Sequence, residues 1–333
     1  MNASTQEMAP NKCKHEGAEQ RVWFEATDAD QHADNLTNWQ QQYDQMGAGK
    51  FYGHIVEVQL DELQIFKEHT SQAMRQSCNV WSDSIWLGLP HNTDQESRIN
   101  GHKISKQHIM CRPGDNDFEL VTPADFDIYG LVVSQQKIMD AANVQQLDIN
   151  WSALFKQDHL ALNPKTLQNL NFIFQRLLNN QSSWHASHED ILIMALLQVF
   201  VEGEQPYKQE KNTQVGFQHR KAVVLKAREF LKENIAENVT ISQLCDIANV
   251  SRRTLQYSFE TILGVTPLQF LRISRLNSVR RALHCNTQNV SISDIASHWG
   301  FWHLSQFSKD YKTLFGELPS QTVKKLLTTE RHI

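Results

Sequence analysis

No long apolar run interrupts this sequence. Its longest stretch free of charged and turn-forming residues is Ile191–Val201, eleven residues, against the roughly 20 that a membrane-spanning helix needs. The first twenty residues, MNASTQEMAPNKCKHEGAEQ, have no apolar core of the kind a secretory signal carries. Cysteine is sparse, and Cys13, Cys78, Cys111, Cys245 and Cys285 are scattered and odd in number. That usage suits reduced thiols in a cytoplasm, not a disulfide framework, and sets the expected location as cytoplasmic. Catalytic signatures are also missing: there is no Gly-rich phosphate loop and no Gly-x-Ser-x-Gly elbow. No predicted strand carries His-x-His, although the chain has 15 histidines. His185, His188 and Glu189 at a predicted helix start have only weakly ligand-like spacing, and Cys13 with His15 lies in a tail. No enzyme, no metal site and no covalently required cofactor is expected. An excess of basic charge is lacking as well, since 32 Lys and Arg face 37 Asp and Glu for a net charge of -5. Taken whole, that balance argues against nucleic acid.

The average hides two opposite parts. From Arg220 to Ile333 there are 16 Lys and Arg against nine Asp and Glu, a net of +7, which leaves -12 for the rest. A basic third on an acidic body is expected where one domain meets a polyanion. The polar stretch 201–219, punctuated by Gly203, Pro206 and Gly216, reads as the linker between them. At 333 residues and 40% apolar content, two ordinary domains fit the length.

The basic part contains a repeat. Val239, Ile241 and Leu244 match Val290, Ile292 and Ile295 at an offset of 51, while Leu255, Phe259, Gly264 and Pro267 match Phe307, Tyr311, Gly316 and Pro319 at 52. Two copies of one supersecondary unit follow. Each reads as helix, tight turn, helix. Thr240 is an N-cap, Ile241, Leu244, Ile247 and Ala248 form the first apolar stripe, and Asn249 (Gly300 in the second copy) stands where a left-handed corner is needed. Ser251 caps the next helix, whose buried side is Leu255, Phe259 and Ile262. Gly264 and Pro267 end it. Between the copies, residues 268–285 read as one helix without Gly or Pro. A stiff helix there would hold two reading helices in major-groove segments about one turn, ~34 Å, apart.

These motifs, IxxLCDIANVSRRTLQYSFETILGVTPLQFLRISRLNSVRRAL and ISDIASHWGFWHLSQFSKDYKTLFGELPS, resemble the DNA-binding domain of the AraC/XylS family of transcription regulators over about 220–325. The resemblance implies two helix-turn-helix units, 240–262 and 291–315, and double-stranded DNA and RNA polymerase as partners. With Leu255 and Phe259 inward, Arg252, Arg253, Gln256 and Tyr257 project outward, and Arg and Gln can bond guanine and adenine edges in bidentate fashion. The family pattern puts Arg253, Gln256 and Tyr257 on base-reading positions. The repeat adds Ser305, Ser308 and Lys309, and His303, Leu304 and Gln306 belong to the same first turn. Trp302 reads as a packing residue at the helix entry, or alternatively as a base contact. Arg272, Arg275, Arg280 and Arg281 on the joining helix are divided between phosphate contacts and local carboxylates.

Ahead of this domain, residues 37–140 show short alternating segments, FYGHIVEVQL among them, with Pro113-Gly114-Asp115-Asn116 as a turn signal. The fold class expected is α+β: a small cupin-like β-barrel after a mobile tail at 1–36, a helical connector at 141–201, a linker at 202–219, and the all-α domain. Such a barrel would bind a small molecule without turning it over. The apolar face Ile191, Met194, Ala195, Gln198 and Val199 reads as core, or alternatively as a homodimer surface. The stretches TNWQQQYDQMGAGKFYGHIVEVQLDELQIFKEHTSQAMRQSCNVWSDSIWLGLP and CRPGDNDFELVTP are similar to the sensor domain of family members that regulate ethanolamine-utilisation operons. That resemblance implies an activator responding to ethanolamine together with adenosylcobalamin. An ammonium ligand favours carboxylates and aromatic faces, which makes Glu57, Trp81, Trp86 and Glu119 the candidate effector contacts.

Overall fold

Alternation of apolar and polar residues gives the N-terminal part its strands, and the computed structural model pairs them into two sheets. It describes residues 21–60, 62–91, 95–179, 186–203, 211–234, 239–285 and 290–329. Strand β1 (Arg21–Ala26) and helix α1 (Ala29–Ala33) precede β2 (Gln40–Gln45), β3 (Gly53–Gln59), β4 (Leu63–Thr70), β5 (Met74–Asn79) and β6 (Ser84–Pro90). Then come β7 (Ser97–Ile99), β8 (His102–Ile104), β9 (His108–Pro113), β10 (Phe118–Thr122) and β11 (Phe126–Ser134). Helices α2 (Gln135–Val144) and α3 (Trp151–Leu154), strand β12 (His159–Ala161), and helices α4 (Pro164–Asn179) and α5 (Ala186–Gly203) complete this part.

One sheet has the order β1-β3-β4-β11-β6-β9-β12 and the other β2-β5-β10-β7-β8. The expected barrel is therefore corrected: each sheet has open edges among the described residues, and the two face each other as layers. Between them lie Tyr43, Met74, Trp86, Met110, Phe118 and Ile128, all buried. Val56, Val58, Leu63, Ile65 and Leu87 point the other way and pack under α2, α4 and α5 with Leu170, Phe174 and Leu196. Both faces of the larger sheet are thus covered, which is why β6 is buried throughout.

Two boundaries differ from expectation. Residues 21–36, assigned to a tail, form β1 and α1: β1 pairs antiparallel with β3, and Asp28 caps α1 by accepting from the backbone N–H groups of Asp30 and Gln31. Within 202–219, expected to be a linker, α5 runs on to Gly203 and helix α6 (Lys211–Glu233) begins before its end, with Gly216 inside it. Of the face read on α5, Val199 is buried, whereas Ile191 and Met194 are each 51% exposed. His185, Cys13 and His15 lie outside the described residues; Glu189 pairs with Lys137.

The C-terminal part is all helical: α7 (Ile241–Ala248), α8 (Arg252–Leu263), α9 (Pro267–His284), α10 (Ile292–His298), α11 (Leu304–Phe315) and α12 (Pro319–Thr329). Val223, Ala227, Leu244, Leu255, Phe259 and Phe270 form one core. Leu276, Val279, Leu283, Ala296, Phe307 and Tyr311 form a second. Because α9 contributes to both, the two helix pairs are fixed to one rod of 18 residues.

The rod also seals an exposed sheet edge. Strand β2 ends its sheet, so the outward N–H and C=O groups of alternate residues have no strand to pair with. Asn277 of α9 supplies a side-chain amide in place of a peptide: its Oδ1 accepts from the Gln45 N–H at 3.0 Å and its Nδ2 donates to the Gln45 C=O at 3.1 Å. Two residues back, the Tyr43 C=O accepts from Arg281 Nη2 at 2.7 Å. Gln45 Nε2 and the Gly49 N–H both donate to the Leu314 C=O at the end of α11, at 2.6 and 3.0 Å.

Candidate nucleic-acid interface

Capping chemistry sets each helix pair. Thr240 and Gln243 form a reciprocal capping box at the start of α7, and Ser251 accepts from the Thr254 N–H at the start of α8. The corner residue Asn249 has φ 52°, the left-handed conformation that a short polar side chain tolerates. In the second pair Ser291 caps α10 and the corner falls to Gly300 at φ 80°. Gly316 closes α11 at φ 69°, and a Cβ there would lie 2.8 Å from the Lys50 backbone nitrogen across the seam, so both conformation and space call for glycine.

With Leu255, Phe259 and Ile262 inward, α8 turns Arg252, Arg253, Gln256 and Tyr257 to solvent. Arg252 and Arg253 make no hydrogen bond or ion pair among the described residues. Gln256 donates to Glu260 at 3.0 Å, and the Arg220 guanidinium sits 5.3 Å from the centre of the Tyr257 ring. On α11, Phe307, Tyr311, Leu314 and Phe315 are buried, while His303, Leu304, Ser305, Gln306 and Lys309 are exposed. Ser308 is half-buried, and Gln306 donates to Asp310 at 2.8 Å. The two outward faces thus hold free hydrogen-bonding groups on two helices braced by one rod, an arrangement able to meet two groove segments at once.

Trp302 departs from expectation, and two arginines of α9 fall on the carboxylate side of theirs. Trp302 does not pack at the helix entry: it is 68% exposed, and its neighbour Phe301 occupies the core instead, 5.1 Å ring to ring from Phe307. Arg280 and Arg281, two of the candidate phosphate contacts, are committed to carboxylates, three of them in the N-terminal part and one, Glu317, after α11. Arg280 Nε donates to Asp28 at 2.6 Å and Nη1 to Glu317 at 3.1 Å; Arg281 bonds Asp30 at 2.9 Å and Asp44 at 2.6 Å. Burial pushes the Asp28 carboxyl up, but Arg280 and His284 outweigh it and hold the group below its ordinary value. For Asp30 burial wins over Arg281, and its pKa rises to about 6. Arg272 pairs with Asp310, and Arg275 is half-buried. The long sequence separation of these partners left no local signal by which to find them.

The candidate effector contacts divide. Glu57 and Trp86 are both buried on the inner side of the larger sheet and are linked through two residues. Gln64 Nε2 donates to Glu57 at 2.7 Å, Trp39 Nε1 donates to Gln64 at 2.9 Å, and the Trp39 ring meets Trp86 edge-on at 6.1 Å. Burial raises the Glu57 pKa against the lowering effect of its bonds to Gln64 and Thr37. Trp81 packs half-buried on the core between the sheets. Glu119 is elsewhere: it pairs with Arg75 at 2.6 Å and with Arg228 of α6 at 2.7 Å, a structural ion pair at the seam. Sequence reading missed Trp39 and Gln64, which periodicity alone does not distinguish from ordinary core. No group of three or more His, Cys, Asp or Glu among the described residues is arranged to hold a metal, and no described helix is long and apolar enough to cross a membrane.

Comparison with known proteins places a likeness on the same helices. Residues 244–325 match the family model described as a helix-turn-helix domain. The XylDLEGF operon transcriptional activator of Pseudomonas putida is 39% identical over 98 residues, 29% of this chain and 30% of that protein. A probable thc operon regulatory protein of Rhodococcus erythropolis is 32% identical over 103 residues, 31% of each. A solved structure of a probable AraC family transcriptional regulator from Rhodopseudomonas palustris is 27% identical, covers 31% of this chain and 96% of that one, and has a TM-score of 0.30. These relatives are regulators, not enzymes, and the chain spans about a third of the length of the first two. Over residues 244–325, the part that carries α8, α9 and α11, the chain is similar to the helix-turn-helix domain family.

Proposed function

We propose that the chain is a sequence-specific DNA-binding transcription regulator of the AraC/XylS type, an activator controlled by a small molecule. The observation that carries this reading is the pair of exposed polar faces on α8 and α11 held by one shared helix. Support comes also from the match of residues 244–325 to a helix-turn-helix domain and from relatives named as operon activators. Arg253, Gln256 and Tyr257 on α8, and Ser305 and Lys309 on α11, read base edges; Arg252, His303 and Gln306 fix register on sugar and phosphate. Arg253→Ala costs about 1–3 kcal/mol at a specific site, roughly 5- to 150-fold, and relaxes one base preference. Fluorescence anisotropy with a selected duplex tests this, and unchanged affinity of that variant removes Arg253 from the reader.

The N-terminal layers sense the effector, and the resemblance of their sequence to regulators of ethanolamine-utilisation operons makes ethanolamine with adenosylcobalamin the effectors proposed. Glu57, joined through Gln64 to Trp39, is the carboxylate that an ammonium group would meet. Such a ligand raises the unfolding temperature in a dose-dependent way, and Glu57→Gln abolishes the rise. Absence of any shift with either compound, alone or together, eliminates this choice. RNA polymerase is the protein partner an activator requires. A homodimer through the exposed Ile191 and Met194 of α5, and a cytoplasmic location, complete the proposal.

A further inference from the structure

We propose that Trp302 is a specificity-determining residue that reads a thymine through its 5-methyl group, so that the two helix pairs read DNA by different chemistry. The inference rests on the DNA-binding function proposed above. The corners Asn249 and Gly300 match at an offset of 51, which sets Phe301 opposite Val250; past the one inserted residue, Trp302, the offset is 52 and sets Leu304 opposite Arg252 and Ser305 opposite Arg253. In the first pair Val250 turns inward against the core and the first helical turn bears two free arginines. In the second, Phe301 provides the inward packing, and Trp302 is left 68% exposed with Leu304 beside it at 43%. Trp302 is the most exposed of the described tryptophans. Its surroundings are polar, with His303, Ser305, Gln306 and Lys309 all exposed, so the apolar patch has the rimmed form of a contact surface.

An indole at the entry to a reading helix has one complementary feature in the major groove. Guanine, cytosine and adenine present hydrogen-bonding groups there, and thymine alone adds a methyl group. Packing the indole face on that methyl buries apolar area from both sides and involves no phosphate. The contact therefore adds affinity without adding to the salt dependence that Lys and Arg contacts bring.

The test uses the full chain. A duplex is selected from a random pool, and each thymine in it is replaced singly by deoxyuridine, which lacks the methyl. Affinities are measured for the wild type, Trp302→Ala and Trp302→Phe. The wild type loses about 4- to 10-fold at one or two thymines, the worth of one buried methyl. Trp302→Ala binds the thymine duplex more weakly and no longer distinguishes thymine from deoxyuridine at those positions. Trp302→Phe retains part of the discrimination, and the slope of affinity against salt is unchanged in both variants. Equal affinity of Trp302→Ala and wild type, or full discrimination kept by Trp302→Ala, overturns the assignment while leaving the DNA-binding function intact. A pool that yields no preferred sequence overturns both together.

Discussion

Replacing Asn277 with alanine removes the amide that pairs with the edge of β2 and leaves the Gln45 backbone N–H and C=O without their partners. Gln45 is only 2% exposed and Asn277 3%, so water does not simply take the place of the lost groups. Two hydrogen bonds at 3.0 and 3.1 Å contribute about 1 kcal/mol each net, and stranding a buried backbone group costs about 1–3 kcal/mol. Partial relaxation of the seam brings the expected loss to about 2–4 kcal/mol in the docking of α9 on the N-terminal sheet. The third bond of Asn277, to the Ile273 C=O of its own helix, is dispensable, because that carbonyl keeps its helical partner position. Hydrogen exchange read by mass spectrometry is the direct assay. Amide exchange in residues 40–46 rises by at least tenfold in Asn277→Ala, while peptides from the core strands β6 and β11 hold their protection. Urea unfolding monitored on the same samples reports the loss in stability. Unchanged exchange at Gln45 together with a loss below about 0.5 kcal/mol would refute the view that this amide holds the two parts together.

Three further outcomes follow from the geometry. Burial, with help from His108 and His102, pushes the His159 pKa down to about 4. A histidine whose folded pKa lies below its unfolded value of 6.5 contributes stability that is full above pH 6.5 and is lost as pH falls towards 4. That loss is at most about 3 kcal/mol, and His159→Gln flattens it in urea titrations at pH 7.5 and 4.5. Asp127 has its pKa lowered to about 2, chiefly by its bond to His69 and against the effect of burial, with Lys67 adding to it. Its contribution is therefore present above pH 3.8 and disappears as pH falls through 2, so Asp127→Asn destabilises at pH 7 by about 1–2 kcal/mol and much less at pH 2. Gly316→Ala and Gly264→Ala both place alanine at positive φ, costing about 1–2 kcal/mol. The first costs more in thermal unfolding, since its Cβ meets the backbone of Lys50, whereas the second meets only the guanidinium of Arg98.

The helical third was legible almost to the residue because its signals are local. Thr240, Asn249, Ser251, Gly264 and Pro267 each act within one turn of their own position, and the repeat states the plan twice. Long-range pairing was not legible in the same way. Alternation identified strands such as β3, yet the order in which twelve strands join depends on contacts far apart in sequence, and a closed barrel and two facing layers share one pattern. The tail boundary failed at Arg21 for the same reason: β1 acquires its strand character from β3, not from its own composition. Arg280 and Arg281 illustrate the limit at the candidate interface. A basic pair on an amphipathic helix suits phosphate, and only the fold reveals Asp28, Asp30 and Asp44 drawn up to it. Trp302 was misjudged because an aromatic residue beside a Phe reads as core when both cannot be; the single inward place goes to Phe301.

The central claim is that two reading helices on one rod engage DNA together. Hydroxyl-radical footprinting of the full chain on a selected duplex tests it most directly. The account predicts protection on one face of the duplex over two segments centred about one helical turn, ~34 Å, apart, with Arg253→Ala weakening the first and Trp302→Ala the second. Protection of a single segment, or uniform protection with no sequence preference, would contradict it.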